Sequence, residues 1–177
     1  MENYIFTSKR LGFRNWNTSD KKPFFKMCND KDVMAYFPKT LTKINSDALI
    51  LRLQNHYQQH NFTFFAVDEL ETNQFIGFIG LINTSFKAYF TPCVEIGWRL
   101  QKESWGKGFA TEGAKRCLEY GFNYLNLKKI VAITAPANKN SEQVMLKIGM
   151  KKDGEFEHPK LEDGHWLKTE MLYVINK

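Results

Sequence analysis

Cysteine is scarce in this chain. The three present, Cys28, Cys93 and Cys117, are odd in number, far apart and set among apolar residues. They read as reduced thiols of a cytosolic protein, not as a disulfide scaffold. No run of 18 apolar residues occurs, which excludes a membrane-spanning helix. The opening Met1-Glu2-Asn3-Tyr4 has no basic start and no apolar stretch, so no secretory signal is expected and a cytoplasmic location is. Only five prolines occur, and they are scattered. With no repeat, linker or low-complexity segment, residues 1–177 read as a single domain, close to the usual ~150 residues. Arginine is scarce as well, with 5 against 20 lysines, while the net charge is +6. A basic surface attracts anions. Base readout favours arginine, however, so direct nucleic-acid binding is not expected. A phosphate-bearing small molecule fits the same charge.

Apolar residues make up 43% of the chain and aromatic ones 15%, enough to fill a core. Arg10–Trp16 alternates polar and apolar and reads as a strand. Ser19 and Asp20 offer an N-cap to a short helix with Pro23 early in it. Asp32–Phe37 reads as a further helical turn. Asn45-Ser46-Asp47 precedes a longer helix in which Leu49, Ile50, Leu53 and Tyr57 keep helical spacing. Phe62–Val67 and Gln74–Ile82 read as a hairpin, and Cys93–Leu100 as a third strand. A glycine-rich stretch leads into a helix carrying Ala110, Ala114, Cys117, Leu118, Gly121 and Leu125 on one face. Lys129–Ala135 is a strand. A short helix capped by Asn140 or Ser141 and stopped by Gly149 follows. Met150–Phe156 and Trp166–Ile175 are the last strands. Strands in a block, then strand-helix-strand, imply an α/β mixed sheet of about seven strands and about four helices, mostly antiparallel with one parallel pair.

The stretch Trp105-Gly106-Lys107-Gly108-Phe109-Ala110-Thr111 joins a strand to a helix. The first N–H groups of a helix lack intrahelical partners and sit at the positive end of its dipole. Glycines let the backbone approach an anion closely. The loop is not a Walker A motif, because Ala114 stands where lysine is required, and it is not a dinucleotide fingerprint. By itself it reads first as a tight turn with no ligand. His56 and His60 are four apart on a helix, but Tyr57 stands where a zincin has glutamate and no further ligand has matching spacing, so no metal is expected and a solvated helix face is. His158 and His165 flank a turn near the last strands. No Ser-His-Asp or Cys-His pairing is legible. Phe24, Phe25, Tyr36, Phe37, Phe86 and Phe90 are aromatics not needed by the obvious core strands.

The longer string Val94-Glu95-Ile96-Gly97-Trp98-Arg99-Leu100, followed by Trp105–Glu112, resembles the acetyl-CoA motif of the GNAT N-acetyltransferases. Asn138-Lys139-Asn140-Ser141 with Lys147-Ile148-Gly149-Met150 is similar to the family's second motif. The resemblance spans essentially the whole chain and is nearest to the RimJ/RimL-like branch.

The resemblance implies a GNAT fold and direct acetyl transfer from acetyl-CoA, without a metal, to a primary amine, on a protein N-terminus or a small molecule. It places the pyrophosphate on Gly106, Lys107, Gly108, Phe109, Ala110 and Thr111, beside Trp105. It implies that Trp98, Arg99 and Leu100 form a strand edge for the pantetheine arm, splayed from Lys129–Ala135, and that Asn138 and Lys147 hold the cofactor. Glu95 is the implied base. Ser141 is the implied acid for the departing thiolate, and Tyr173 a second donor. Many members carry tyrosine where Met145 stands, and methionine has no proton to give. Many carry Arg or Gln at Trp105. The rival reading is a catalytically silent acyl-CoA-binding regulatory module. Apolar strand edges in the C-terminal half leave a homodimer open, and the basic surface weighs slightly against a polycationic acceptor.

Overall fold

The structure is a computed structural model and describes residues 4–177; the reading of Met1-Glu2-Asn3 lies outside the described residues. The strands are β1 (Phe6–Thr7), β2 (Leu11–Arg14), β3 (Phe64–Glu69), β4 (Gln74–Thr84), β5 (Cys93–Leu100), β6 (Lys129–Thr134), β7 (Lys151–Glu157) and β8 (Thr169–Asn176). They form one sheet in the order β1-β2-β3-β4-β5-β6-β8-β7. The sheet thus has eight strands where the sequence reading expected about seven. The extra one is β1, two residues long and too short to show a period. All pairings are antiparallel except β5 with β6.

Four α-helices flank the sheet: α1 (Lys21–Cys28), α2 (Lys43–His60), α3 (Phe109–Glu119) and α4 (Lys139–Lys147). Helix α3 is the crossover between the parallel strands, as the order of elements required. Its buried Phe109, Ala114, Cys117 and Leu118 cover Leu81, Ile96 and Leu100 on one face of the sheet. Gly113 permits this contact, because a Cβ there would lie 2.3 Å from Ile79 Cδ1. Helices α1 and α2 cover the other face through Phe24, Cys28, Ile50 and Leu53, against Ala66 and Phe78.

Several helix starts lie earlier than the sequence suggested. Thr42, not the Asn45–Asp47 group, caps α2, its side chain accepting from the Asn45 N–H. Asp20 holds the N-cap position of α1, as read, without a side-chain cap bond there; Asn17 caps the preceding 3₁₀ turn, Thr18–Asp20. Asn138 caps α4, accepting from the Ser141 N–H at 3.2 Å, so Ser141 stands inside the first turn and Asn140 is no cap. Asp32–Phe37 makes only turns. Beyond α3 the chain widens into a π-turn, Tyr120–Tyr124, closed by Leu125 N–H to Tyr120 C=O.

Of the two histidines of α2, His60 is exposed, as a solvated face requires, while His56 is half-buried. His56 Nε2 accepts from the Asn83 N–H at 3.1 Å, so its Nδ1–H donates to Phe62 C=O at 2.7 Å. This half-buried ring ties the end of α2 to β4, and burial lowers its pKa. No group of three or more potential metal ligands occurs among the described residues.

Candidate active site

The parallel pair is barely a pair. Strand β5 keeps a full ladder with β4, eight residue pairs from Gly77↔Leu100 to Thr84↔Cys93. With β6 it makes one bridge, Glu95↔Val131. Beyond that bridge the two strands part. The Gln101 N–H donates to Ile76 C=O at 2.8 Å, so the main chain of Gln101 faces β4. Strand groups alternate in direction, so Trp98 and Leu100 present N–H and C=O to the opposite, opened side. Trp105 Nε1–H takes up the Leu100 C=O at 3.0 Å. Among the described residues, no bridge to β6 is formed at Trp98. Main-chain groups left this way need partners.

The glycine loop lies at the end of this opening. Gly106 and Gly108 have φ of +74° and +79°, a region costly for residues with a Cβ. Gly108 is the N-cap of α3. The six amides from Gly106 to Thr111 donate to no acceptor among the described residues, and the first helical bond there is Glu112 N–H to Gly108 C=O. A run of free amides on a helix N-terminus is an anion cradle.

The loop is latched from the turn between β1 and β2, which the sequence did not foreshadow. Glu112 accepts from Ser8 Oγ at 2.7 Å, from the Arg10 N–H at 2.8 Å and from Arg10 Nε at 2.7 Å. Arg10 Nη1 also donates to Lys107 C=O at 3.0 Å, and its guanidinium lies 4.6 Å from the Phe109 ring centre. These partners are about a hundred residues apart, and no local pattern links them.

Alternation along β5 separates two jobs. Val94, Ile96, Trp98 and Leu100 face α3. Glu95, Gly97 and Arg99 face the other way. Of the predicted cofactor residues, Arg99 therefore sends its side chain to the opposite face, towards Cys28 of α1. Glu95 sits at the bridge where the strands begin to part. Burial pushes its carboxyl up to about 6, although Thr84 Oγ1 donates to Glu95 Oε2 at 2.7 Å. Glu170 on β8 was not foreseen. Burial and then the charge of Glu95 push it up to about 7. Two carboxyls are thus raised toward neutrality, one of them at the bridge where the strands begin to part.

Aromatic residues border this face. Phe86 stacks with Phe156 at 6.0 Å and lies 4.8 Å from His158. Tyr36, before α2, meets Trp166, between β7 and β8, at 6.4 Å.

On the second motif, Asn138 spends its side-chain oxygen on the α4 cap. The half-buried Ser141 hydroxyl makes no hydrogen bond among the described residues. The Tyr173 hydroxyl donates to Glu142 Oε1 at 2.6 Å, and burial followed by that carboxylate raises its pKa to about 12. Met145 is buried in the core. Lys147 and Lys107 are exposed.

Could a pantetheine-linked nucleotide fit here? The opened edge at Trp98 offers the amide partners of a strand. The free amides of 106–111 offer the partners of a pyrophosphate. The residues present fit the group.

Residues 10–151 match the family described as acetyltransferase (GNAT) domain. Over 170 residues the sequence is 32% identical to YnaD of Bacillus subtilis, described as an uncharacterized N-acetyltransferase, covering 96% of this chain and 95% of that one. The structure aligns with an acetyltransferase (GNAT family) from Bacillus anthracis at a TM-score of 0.80 and 28% identity, covering 96% of each chain. It also shares the fold of RimJ from Mycobacterium smegmatis in complex with CoA-disulfide, with a TM-score of 0.76 and 19% identity over 94% of this chain and 81% of that one.

Proposed function

The chain belongs to the GNAT acetyltransferase family and is an acetyl-CoA-dependent acetyltransferase; from that premise we propose that it acetylates a primary amine at the opening between β5 and β6. One observation carries the placement: a parallel pair with a single bridge opening onto six unpaired amides. Acetyl-CoA supplies a thioester carbonyl open to attack. Trp98 main-chain groups hold the pantetheine amides as an added strand would. The amides of 106–111 and the positive end of α3 hold the pyrophosphate, and Trp105 closes the strand end through Leu100 C=O.

Glu95 removes the proton from the incoming ammonium. Its pKa near 6 leaves it mostly ionised at pH 7 and still basic enough to accept a proton. As the C–N bond forms and the C–S bond breaks, Ser141 Oγ relays to the departing sulfur the proton that the amine nitrogen gives up, so the hydroxyl is restored. Tyr173 suits that step less well, because its proton is already given to Glu142. Lys147 and Lys107 add charge near the phosphates. The fold shared with RimJ supports the RimJ/RimL-like reading, in which the acceptor is a small amine or a protein N-terminus.

The test is free-thiol release from acetyl-CoA across a panel of amines, with wild-type and Ser141→Ala proteins. The expected result is amine-dependent thiol release with a molar equivalent of N-acetylated product, slowed in Ser141→Ala while acetyl-CoA affinity holds. Thiol release that is independent of every amine would contradict it.

A further inference from the structure

Arg99 stands on β5 four positions after Glu95, on the same face of the sheet. At ~3.3 Å per residue the two Cα atoms are about 13 Å apart, and both side chains leave the same side of the strand. The guanidinium of Arg99 has no carboxylate partner among the described residues. Nη1 donates to Cys28 Sγ at 3.2 Å. The rings of Phe37 and Phe78 lie 3.9 and 5.3 Å from the guanidinium carbon. Nε is buried and meets no acceptor. Burial disfavours the charge of the group, with only the thiol to offset it.

The same molecule shows what such an edge ordinarily does. In Arg14 the Nε and Nη2 donors clasp Asp68 side-on, at 2.6 and 2.8 Å. In Arg99 the Nε–Nη2 edge has no hydrogen-bond partner among the described residues, while Nη1 and the ring faces are taken. A fixed fork of two donors matches a carboxylate. A buried donor left unpaired is costly. The cost makes sense where a ligand supplies the acceptor.

We propose that Arg99 is the specificity residue of the acceptor site and receives a carboxylate, so that the acceptor is an amino-acid-like molecule bearing both an amine and a carboxylate. The inference rests on the acetyltransferase reading and narrows it. Glu95 addresses the amine at the strand opening, and Arg99 holds the acid further along β5. A polyamine, with no anion to offer, leaves Arg99 unpaired. A peptide N-terminus supplies a carboxylate only where an acidic side chain follows.

The chain contains five arginines, so its Nε–H region in a ¹⁵N-correlated NMR spectrum resolves each one, with Arg99→Lys assigning the Arg99 signal. The full chain, saturated with CoA, is titrated with benzoate and acetate and, separately, with benzamide and acetamide at fixed ionic strength. The expected result is a saturable shift of the Arg99 signal with the carboxylates, no matching shift of the other four, and no response to the amides. Equal responses to benzoate and benzamide, no shift at all, or uniform shifts of all five signals would overturn the proposal. Acetyl-CoA affinity is measured alongside. Carboxylate silence in a protein that binds acetyl-CoA removes this inference alone. Failure to bind acetyl-CoA removes the function and the inference with it.

Discussion

Glu95→Gln lowers kcat by on the order of 10²–10⁴, the usual contribution of a positioned general base, while acetyl-CoA affinity stays within about twofold. The substitution keeps the shape of the side chain and its contact with Thr84 but removes the basic oxygen. The pH profile separates this role from a merely structural one. The Glu95 carboxyl is raised to about 6 by burial, and only its ionised form accepts a proton. The wild-type kcat/KM therefore rises with pH, with a slope near one below about pH 6, and flattens above it. Glu170, raised to about 7 by burial and by Glu95, faces the same site, as does Cys93, whose thiol is pushed up to about 11 by burial and then by Glu95. In Glu95→Gln the limb at 6 disappears and Glu170 loses a neighbouring negative charge, so its own titration moves down. A variant that keeps both its rate and its acid limb would remove Glu95 from the chemistry.

The second large effect is on stability and lies away from the site. Arg14 is 6% exposed and sits between Asp20 and Asp68, each 1% exposed. It donates to Asp68 through Nε and Nη2, and to Asp20 through Nη1 and Nη2 at 2.7 and 2.9 Å. Asp20 also accepts from the Asn17 N–H at 2.8 Å, closing a capping box. The network joins β2, β3 and the turn into α1. Arg14→Met keeps the length and apolar stem but leaves two buried carboxylates side by side. Breaking a buried ion network on one side costs about 3–5 kcal/mol. Urea unfolding should therefore show a midpoint shift of that size with an unchanged slope. A loss below about 1 kcal/mol would mean that solvent reaches the carboxylates and that the network is a surface pair in effect.

The strands of the site were legible because a half-buried sheet writes a period of two. Cys93–Leu100 was read with its observed bounds, and the loop through Gly108 was read correctly as the entry to a helix. What the sequence hid has physical causes. Strand β1 is two residues long and has no period. The helix expected to run on to Leu125 gives way to the π-turn at Tyr120, and Gly121 within it packs so closely that a Cβ would lie 2.9 Å from both Ile130 and Leu81, a tertiary constraint. Asn138 out-competes Asn140 and Ser141 as a cap because the helix starts one residue after it, and boundaries are set by which side chain reaches the free N–H groups. The Glu112–Arg10 latch and the charge effect of Glu95 on Glu170 join distant positions and leave no local mark. Arg99 was read for its main chain, on the strand edge. Its side chain, on the other face, is what bears on the acceptor.

The central claim is that the opening beside β5 and the amides of 106–111 together bind acetyl-CoA. Calorimetric titration with acetyl-CoA, desulfo-CoA and ADP tests it directly. The expected result is tight binding of acetyl-CoA and of desulfo-CoA, which keeps the pantetheine amides, and far weaker binding of ADP, which keeps the adenosine and the pyrophosphate but lacks the pantetheine arm. Binding of ADP as tight as that of acetyl-CoA, or no binding of any of the three, would contradict it.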